Sequence, residues 1–217
     1  MIIKSKDVKV FWINDKDNQK RYEHMTTILD TYFPNHERIN AVYDKPKYNG
    51  VTLAHLNAIL KGISLKKPFI VLEDDVTIKN YKEEWSIDDS IDAIFMGISC
   101  WGNKSYNKDK INKMQLENDN IFFCRGAKGT IIRESEYFRV DSMYGAHAIL
   151  YINPKYMISA VKNCLQAYLK SKPHDIYFPR QQKKYNIYGL TRPIFFQSRT
   201  LGGQEKFTNI EVEINET

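Results

Sequence analysis

Cysteine is scarce in this 217-residue chain, and nowhere does an apolar run approach the length of a membrane span. Cys100, Cys124 and Cys164 are odd in number, far apart and without CxxC or metal-ligand spacing. That pattern argues against a disulfide framework or a zinc site and fits a reducing compartment. The opening MIIKSKDVKV returns to charge too soon for a secretory leader, so the reading is of a cytoplasmic protein with no membrane span. Internal repeats and low-complexity linkers are also lacking. A strong charge of one sign is missing too: the net charge is +6, with lysines scattered through a chain rich in Ile, Asn and Tyr. No nucleic-acid motif accompanies that charge, so no nucleic-acid partner is expected.

What is present is an ordinary globular composition, with 42% hydrophobic and 27% charged residues, in a length that suits one compact domain. Residues 8–13 (VKVFWI) form a continuous β-prone apolar run, the pattern of a strand covered on both faces. Tyr22, Met25, Ile28, Leu29, Tyr32 and Phe33 recur at helical spacing ahead of Pro34. A strand over 38–42 is predicted next. A second helix follows from Leu53, with Thr52 as its N-cap and Pro68 as its stop, and leads into a strand over 69–72. Further strands are predicted at 93–96 and 148–152. Two short β runs, 121–124 and 130–132, flank a turn containing Gly126 and Gly129. Asn153 and Pro154 read as N-cap and first position of a third helix. The stretch 103–120 reads as a mobile loop, and 208–217 as a loose acidic tail behind a single domain over 1–207. Repeated strand–helix–strand units predict an α/β fold with a mostly parallel sheet, helices on both faces and a small β hairpin.

The sharpest chemical signal is FIVLEDDV at 69–76, an apolar strand ending abruptly in Glu73, Asp74 and Asp75. Adjacent carboxylates repel one another and are costly to bury unpaired. Two readings stand at this level: a solvent-facing cap on the strand, or a site for a hard divalent cation shared with substrate phosphates. In α/β sheets of this kind ligands bind at the carboxyl ends of the strands.

The order WIN, Arg21, ERINAVYD, TLAHLNAI and PFIVLEDDV resembles the glycosyltransferase family 25 type of GT-A enzyme. Weaker similarities continue through SIDDSIDAIFMG, YGAHAILY, KPHDIYF and PIFFQS, so that the resemblance spans about residues 11–198. Only LEDDV is specific by itself, and Ala54 stands where the family usually has Ser before His55. Small sugar-modifying enzymes of this type also occur in large DNA viruses, which suits the composition.

The resemblance implies a GT-A fold and transfer of a sugar from a nucleotide-sugar donor, most plausibly a UDP-sugar, to a glycan or glycoprotein hydroxyl, with inversion and with Mn²⁺ or Mg²⁺. It implies Asp75 as metal ligand, Glu73 at the metal's water or the donor ribose, and Asp74 at the donor sugar. Asn14, Arg21 and Ala41 lie where the family holds the nucleotide, though Arg21 also reads as a structural ion pair. Gln197 reads as a donor contact or a backbone partner. Gly145 and His147 are placed at the acceptor, with a core histidine as the other reading of His147. The base that accepts the acceptor's proton is read as Asp175, with a plain N-cap as its other reading and Asp141 as the second candidate; backbone donors around Asp175 are expected to keep it ionised. Two other functions remain at this level: a non-catalytic sugar- or nucleotide-binding module, and a metal-dependent phosphohydrolase.

Overall fold

The computed structural model describes residues 1–101, 121–124, 127–132, 135–201 and 207–209. Its centre is a nine-stranded sheet. In sheet order its strands are β3 (His36–Asn40), β2 (Lys9–Asn14), β4 (Phe69–Glu73), β12 (Ala148–Tyr151), β7 (Ala93–Phe95), β13 (Ile187–Leu190), β11 (Tyr137–Met143), β10 (Ala127–Ile131) and β9 (Ile121–Cys124). Three two-stranded ribbons complete it: β1 (Ile2–Lys4) with β6 (Glu84–Ser86), β5 (Val76–Ile78) with β14 (Phe195–Gln197), and β8 (Ser99–Trp101) with β15 (Phe207–Asn209).

The expectation of a mostly parallel sheet is corrected. β3, β2 and β4 run parallel, as do β7 and β13, but β12 enters antiparallel between β4 and β7, and β11, β10 and β9 form an antiparallel meander. The fold is therefore mixed α/β with helices on both sheet faces.

Strands β2 and β4 are buried on both sides because successive residues serve opposite layers. Val10, Trp12, Ile70 and Leu72 pack with Met25, Leu29 and Phe33 of helix α1 (Gln19–Tyr32) and the residue after it. Phe11, Ile13, Phe69 and Val71 pack on the other face with Ala54 and Ile59 of α2 (Lys47–Ser64) and with Tyr156 and Met157 of α3 (Pro154–Leu169). Each such fully buried large apolar side chain contributes about 1.5–3 kcal/mol.

Local signals explain the element ends. Asn18 caps α1 by accepting from the Arg21 backbone N–H, and Asn153 caps α3 by accepting from that of Lys155, with Pro154 at the first turn as the sequence predicts. α2 starts at Lys47, earlier than expected, so Thr52 is no cap; its hydroxyl donates to the Tyr48 carbonyl inside the helix. Position 50 of that helix takes glycine because a Cβ there would sit 1.9 Å from the Val42 carbonyl oxygen.

The predicted hairpin exists as β9 and β10, but Gly129 lies within β10, where a Cβ would meet the Arg139 carbonyl oxygen at 2.5 Å. Gly126, the stretch 103–120 and residues 210–217 of the acidic tail lie outside the described residues, while Thr208 and Asn209 belong to β15. Cys164 is a free, buried thiol. Among the described residues no helix is long and apolar enough to cross a membrane.

Candidate active site

The acidic turn forms where β4 runs out of apolar residues and the chain doubles back into β5. Glu73 is the last residue of β4, and its backbone N–H donates to the His147 carbonyl at 2.9 Å. Asp74 and Asp75 make the turn, 7% and 8% exposed. Pairing of Val76 with Gln197 then brings β14 alongside, and the Ser198 N–H donates to the Asp75 carbonyl at 2.6 Å.

Parallel register sets Ile13 beside Glu73, so Asn14, at the end of β2, reaches the turn. Its side-chain amide donates to Asp74 Oδ2 at 2.8 Å. The capped first turn of α1 aims Arg21 at the same carboxylate: Nη1 donates to Asp74 Oδ1 at 2.5 Å, Nε donates to the Leu201 carbonyl at 2.8 Å, and Nη2 lies 3.9 Å from Asp75 Oδ2. Asn14, Arg21 and Asp74, all expected at the donor, are thus brought together as one another's partners. Ala41 joins them through its backbone, which donates to the Asn14 carbonyl at 2.9 Å.

Asp75 is less satisfied. Gln197 hydrogen-bonds to its side chain, yet Oδ1 is buried with no hydrogen-bond partner among the described residues. Burial, then the charges of Glu73 and Asp74, push its carboxyl up to about 7 against the pull of Arg21 and Gln197. Glu73 is raised to about 7 by burial and by Asp74, although solvent reaching its side chain, 29% exposed, offsets part of that rise.

Behind Glu73 sit two buried histidines. His55 Nε2 lies 3.2 Å from Glu73 Oε1, and the His174 ring lies against His55, tilted by 37°, at 4.2 Å between centroids. Burial lowers His55 to about 3 and His174 well below its ordinary value, so both rings are neutral, and His55 Nε2 shares a hydrogen bond with Glu73.

Asp175 completes the group. It stands in a 3-10 turn (His174–Ile176) and lines a cleft of about 150 Å³ with Tyr48, Val51, Glu73, Ala146 and His174. That volume falls short of the roughly 300–1,000 Å³ that encloses a whole drug-sized ligand, so the cleft holds part of one. The backbone donors expected around Asp175 are present, but burial and the charge of Glu73 outweigh them and raise it to about 6; Oδ1 has no partner among the described residues.

The remaining candidates do not line the cleft. Asp141 is on β11, four places from β4 in the sheet, with the Thr130 hydroxyl 3.4 Å from its carboxylate. His147 is 2% exposed and packs against Gly97, where a Cβ would meet its Nε2 at 2.1 Å; burial and the Phe195 backbone act on it, and it is lowered to about 4. Gly145 is half-buried beside Ala146 of the cleft wall.

Among the described residues no three His, Cys, Asp or Glu side chains converge on one point, so there is no closed metal cage. Asp75, with its unpartnered buried oxygen, and the adjacent Glu73 fit a looser arrangement. In it a hard cation takes one or two carboxylates and leaves its other positions to water and phosphate oxygens.

No family model and no curated protein matches the chain. Several solved structures are similar to it in part, among them the three that follow. The structure of A197 from STIV is 10% identical, with 84% of this chain and 81% of that one covered, at a TM-score of 0.41. A CTP:phosphocholine cytidylyltransferase from Streptococcus pneumoniae is 7% identical over 92% of this chain and 96% of its own, at 0.44. A nucleoside-diphosphate-sugar pyrophosphorylase from Vibrio cholerae RC9 is 12% identical over 85% and 72%, at 0.41. At these scores the likenesses carry no functional argument, and the chemistry has to come from the site.

Sequence reasoning did not place Tyr48, Val51 and Ala146 at the site, and it named His55 and His174 only as motif neighbours. The signal for the two histidines was their position, one in TLAHLNAI and one directly before Asp175.

Proposed function

We propose that the chain is a GT-A glycosyltransferase of the family 25 kind, moving a sugar with inversion from a nucleotide-sugar donor, most simply a UDP-sugar, to a hydroxyl of a glycan or glycoprotein. The observation that carries this reading is the cleft shared by Glu73 and Asp175 beside Asp75, whose Oδ1 is buried and unpartnered. An unpartnered oxygen on Asp75, just beyond the end of β4, suits a metal–diphosphate, and another on Asp175, in the 3-10 turn, suits a hydroxyl proton.

Asp75 and Glu73 are the residues that would hold Mn²⁺ or Mg²⁺, which when bound would neutralise charge gathering on the leaving diphosphate. Arg21 and Asn14 hold Asp74 and so fix the turn that presents Asp75. Asp175, raised to about 6, is ionised at neutral pH yet basic enough to accept the acceptor's proton as the new glycosidic bond forms. The neutral His55, 3.2 Å from Glu73, sets the orientation of its carboxyl group.

The test is a transfer assay with a panel of nucleotide sugars, oligosaccharide acceptors and Mn²⁺. Transfer that disappears in Asp175→Asn, while donor binding persists, supports the assignment. Donor binding without turnover under any acceptor would make the chain a binding module instead. Phosphate release that needs no sugar acceptor would make it a phosphohydrolase. Metal-dependent donor binding retained by Asp75→Ala would overturn the metal assignment.

A further inference from the structure

Helices α2 and α3 cover the same sheet face and pack against each other, so their outer sides make one continuous surface. Two features set that surface apart. No Asp or Glu occurs anywhere in residues 45–72 or 142–174, the stretches that contain the two helices. Lysine is plentiful there: Lys155, Lys162, Lys170 and Lys172 are exposed on and just beyond α3, and Lys47, Lys66 and Lys67 on and just beyond α2. Lys61 is exposed too, but Glu37 of β3 pairs with it, so it adds no free charge.

The second feature is what stands between the lysines. Ile158, Leu165 and Leu169 are 50%, 44% and 81% exposed, and with Lys162 they fall at four-, three- and four-residue spacing along one outward line of α3. Leu60 and Leu65 at the end of α2 are 48% and 38% exposed. Single exposed leucines are ordinary, but an aligned set interleaved with unpaired lysines is not.

We propose that this α2–α3 face seats the protein on an anionic lipid bilayer. The lysines would meet the negative surface potential, and the aligned Ile and Leu side chains would enter the headgroup–acyl boundary. Acidic headgroups match a surface whose two helices carry lysine and no carboxylate of their own. A polyanion such as duplex DNA would use the lysines but has no place for Leu169, and a purely apolar partner would be opposed by the lysines. The same face reaches the cleft, since Val51 of α2 lines it and Lys172 immediately precedes Pro173 of its wall. The proposal does not depend on glycosyl transfer.

The experiment is co-sedimentation of the full chain with phosphatidylcholine vesicles and with vesicles in which about 30% of the lipid is phosphatidylglycerol. The expected result is binding to the anionic vesicles alone, weakening as salt shortens the Debye length. Leu165→Ser/Leu169→Ser and Lys170→Glu/Lys172→Glu should each weaken it about ten-fold or more while thermal unfolding stays at the wild-type temperature. No binding to either vesicle, or equal binding to both, would overturn the proposal. Anionic binding that survives the double leucine change and is competed away by duplex DNA would also overturn it, and would assign the face to a soluble polyanion.

Discussion

On one side of the acidic turn, Asp74 accepts from both Arg21 and Asn14, so each of its oxygens has a donor. On the other side, Asp75 and Asp175 each keep a buried oxygen without a partner among the described residues, and both carboxyls are pushed up, to about 7 and about 6. The same residue type thus serves two ends, and Asp74 and Asp75 show both within one turn. Where the chain supplies its own countercharge, the carboxylate holds structure together. Where it supplies too little, with Arg21 Nη2 3.9 Å from Asp75, folding leaves an electrostatic cost that a ligand can relieve, and this marks the side on which chemistry is expected.

The sharpest way to break that contrast is at Asp175. Asp175→Asn should cut transfer by about 10²–10⁴-fold, measured as kcat under saturating donor, because it removes the proton acceptor with little change of shape. In the unaltered protein the rate should rise with pH through about 6 as Asp175 ionises. A flat profile from pH 5 to 8 together with full activity in the Asn variant would place the two sides of the turn on an equal footing.

The next effect falls on the satisfied side. Arg21→Met should destabilise the fold by roughly 3 kcal/mol, read from denaturant midpoints, since it strands the buried Asp74 charge and releases the Leu201 carbonyl. A loss below about 1 kcal/mol would mean that Asp74 is as poorly matched as Asp75.

Asp75→Asn should do the opposite to the apoprotein. A carboxyl raised in the folded chain favours folding below its ordinary value and loses that advantage as pH rises through its folded value. Glu73, Asp75 and Asp175 together should therefore lower stability between about pH 4 and 7. His55 and His147, lowered to about 3 and 4, act in the other direction, adding stability as pH rises toward their ordinary value of 6.5. At pH 8 the Asn variant should melt higher than wild type, by about 2–4 °C for each kcal/mol recovered. Mn²⁺ should raise wild-type Tm at pH 8 more than at pH 5, and leave the variant unmoved. The smallest effect is a control away from the turn: Asn153→Ala should cost about 1 kcal/mol through its lost cap and leave metal response intact.

Much of this arrangement was legible in the sequence, for definable reasons. β2, α1, β4 and α3 carry strong periodicity or a cap, and LEDD announces itself by ending an apolar strand. The start of α2 was missed because its apolar stripe begins at Leu53 behind a cap-like Thr52, whereas the first turns from Lys47 are largely polar and include Gly50, where the Val42 carbonyl passes too close for any side chain. Strand direction was missed because hydrophobic period carries no polarity, so the antiparallel entry of β12 left no mark. At the site, the sequence set the three acids side by side. It could not tell which of them Arg21 would take, since that depends on α1 folding back across β2. The Glu73–His55 contact joins residues 18 apart through tertiary packing, and the shared cleft with Asp175 joins residues further apart still.

The β5–β14 ribbon gives the turn a dependence in time as well as in space. About 120 residues separate Asp75 from Phe195, so the acidic turn is synthesised long before the segment whose Ser198 and Leu201 backbone secure it and its arginine. During translation the nascent chain would carry an unclasped cluster of carboxylates, and affinity for a cation–diphosphate would mature only as that late segment docks. A release assay on stalled ribosomes would therefore see ligand competence arrive in one step, once the segment through Leu201 has emerged.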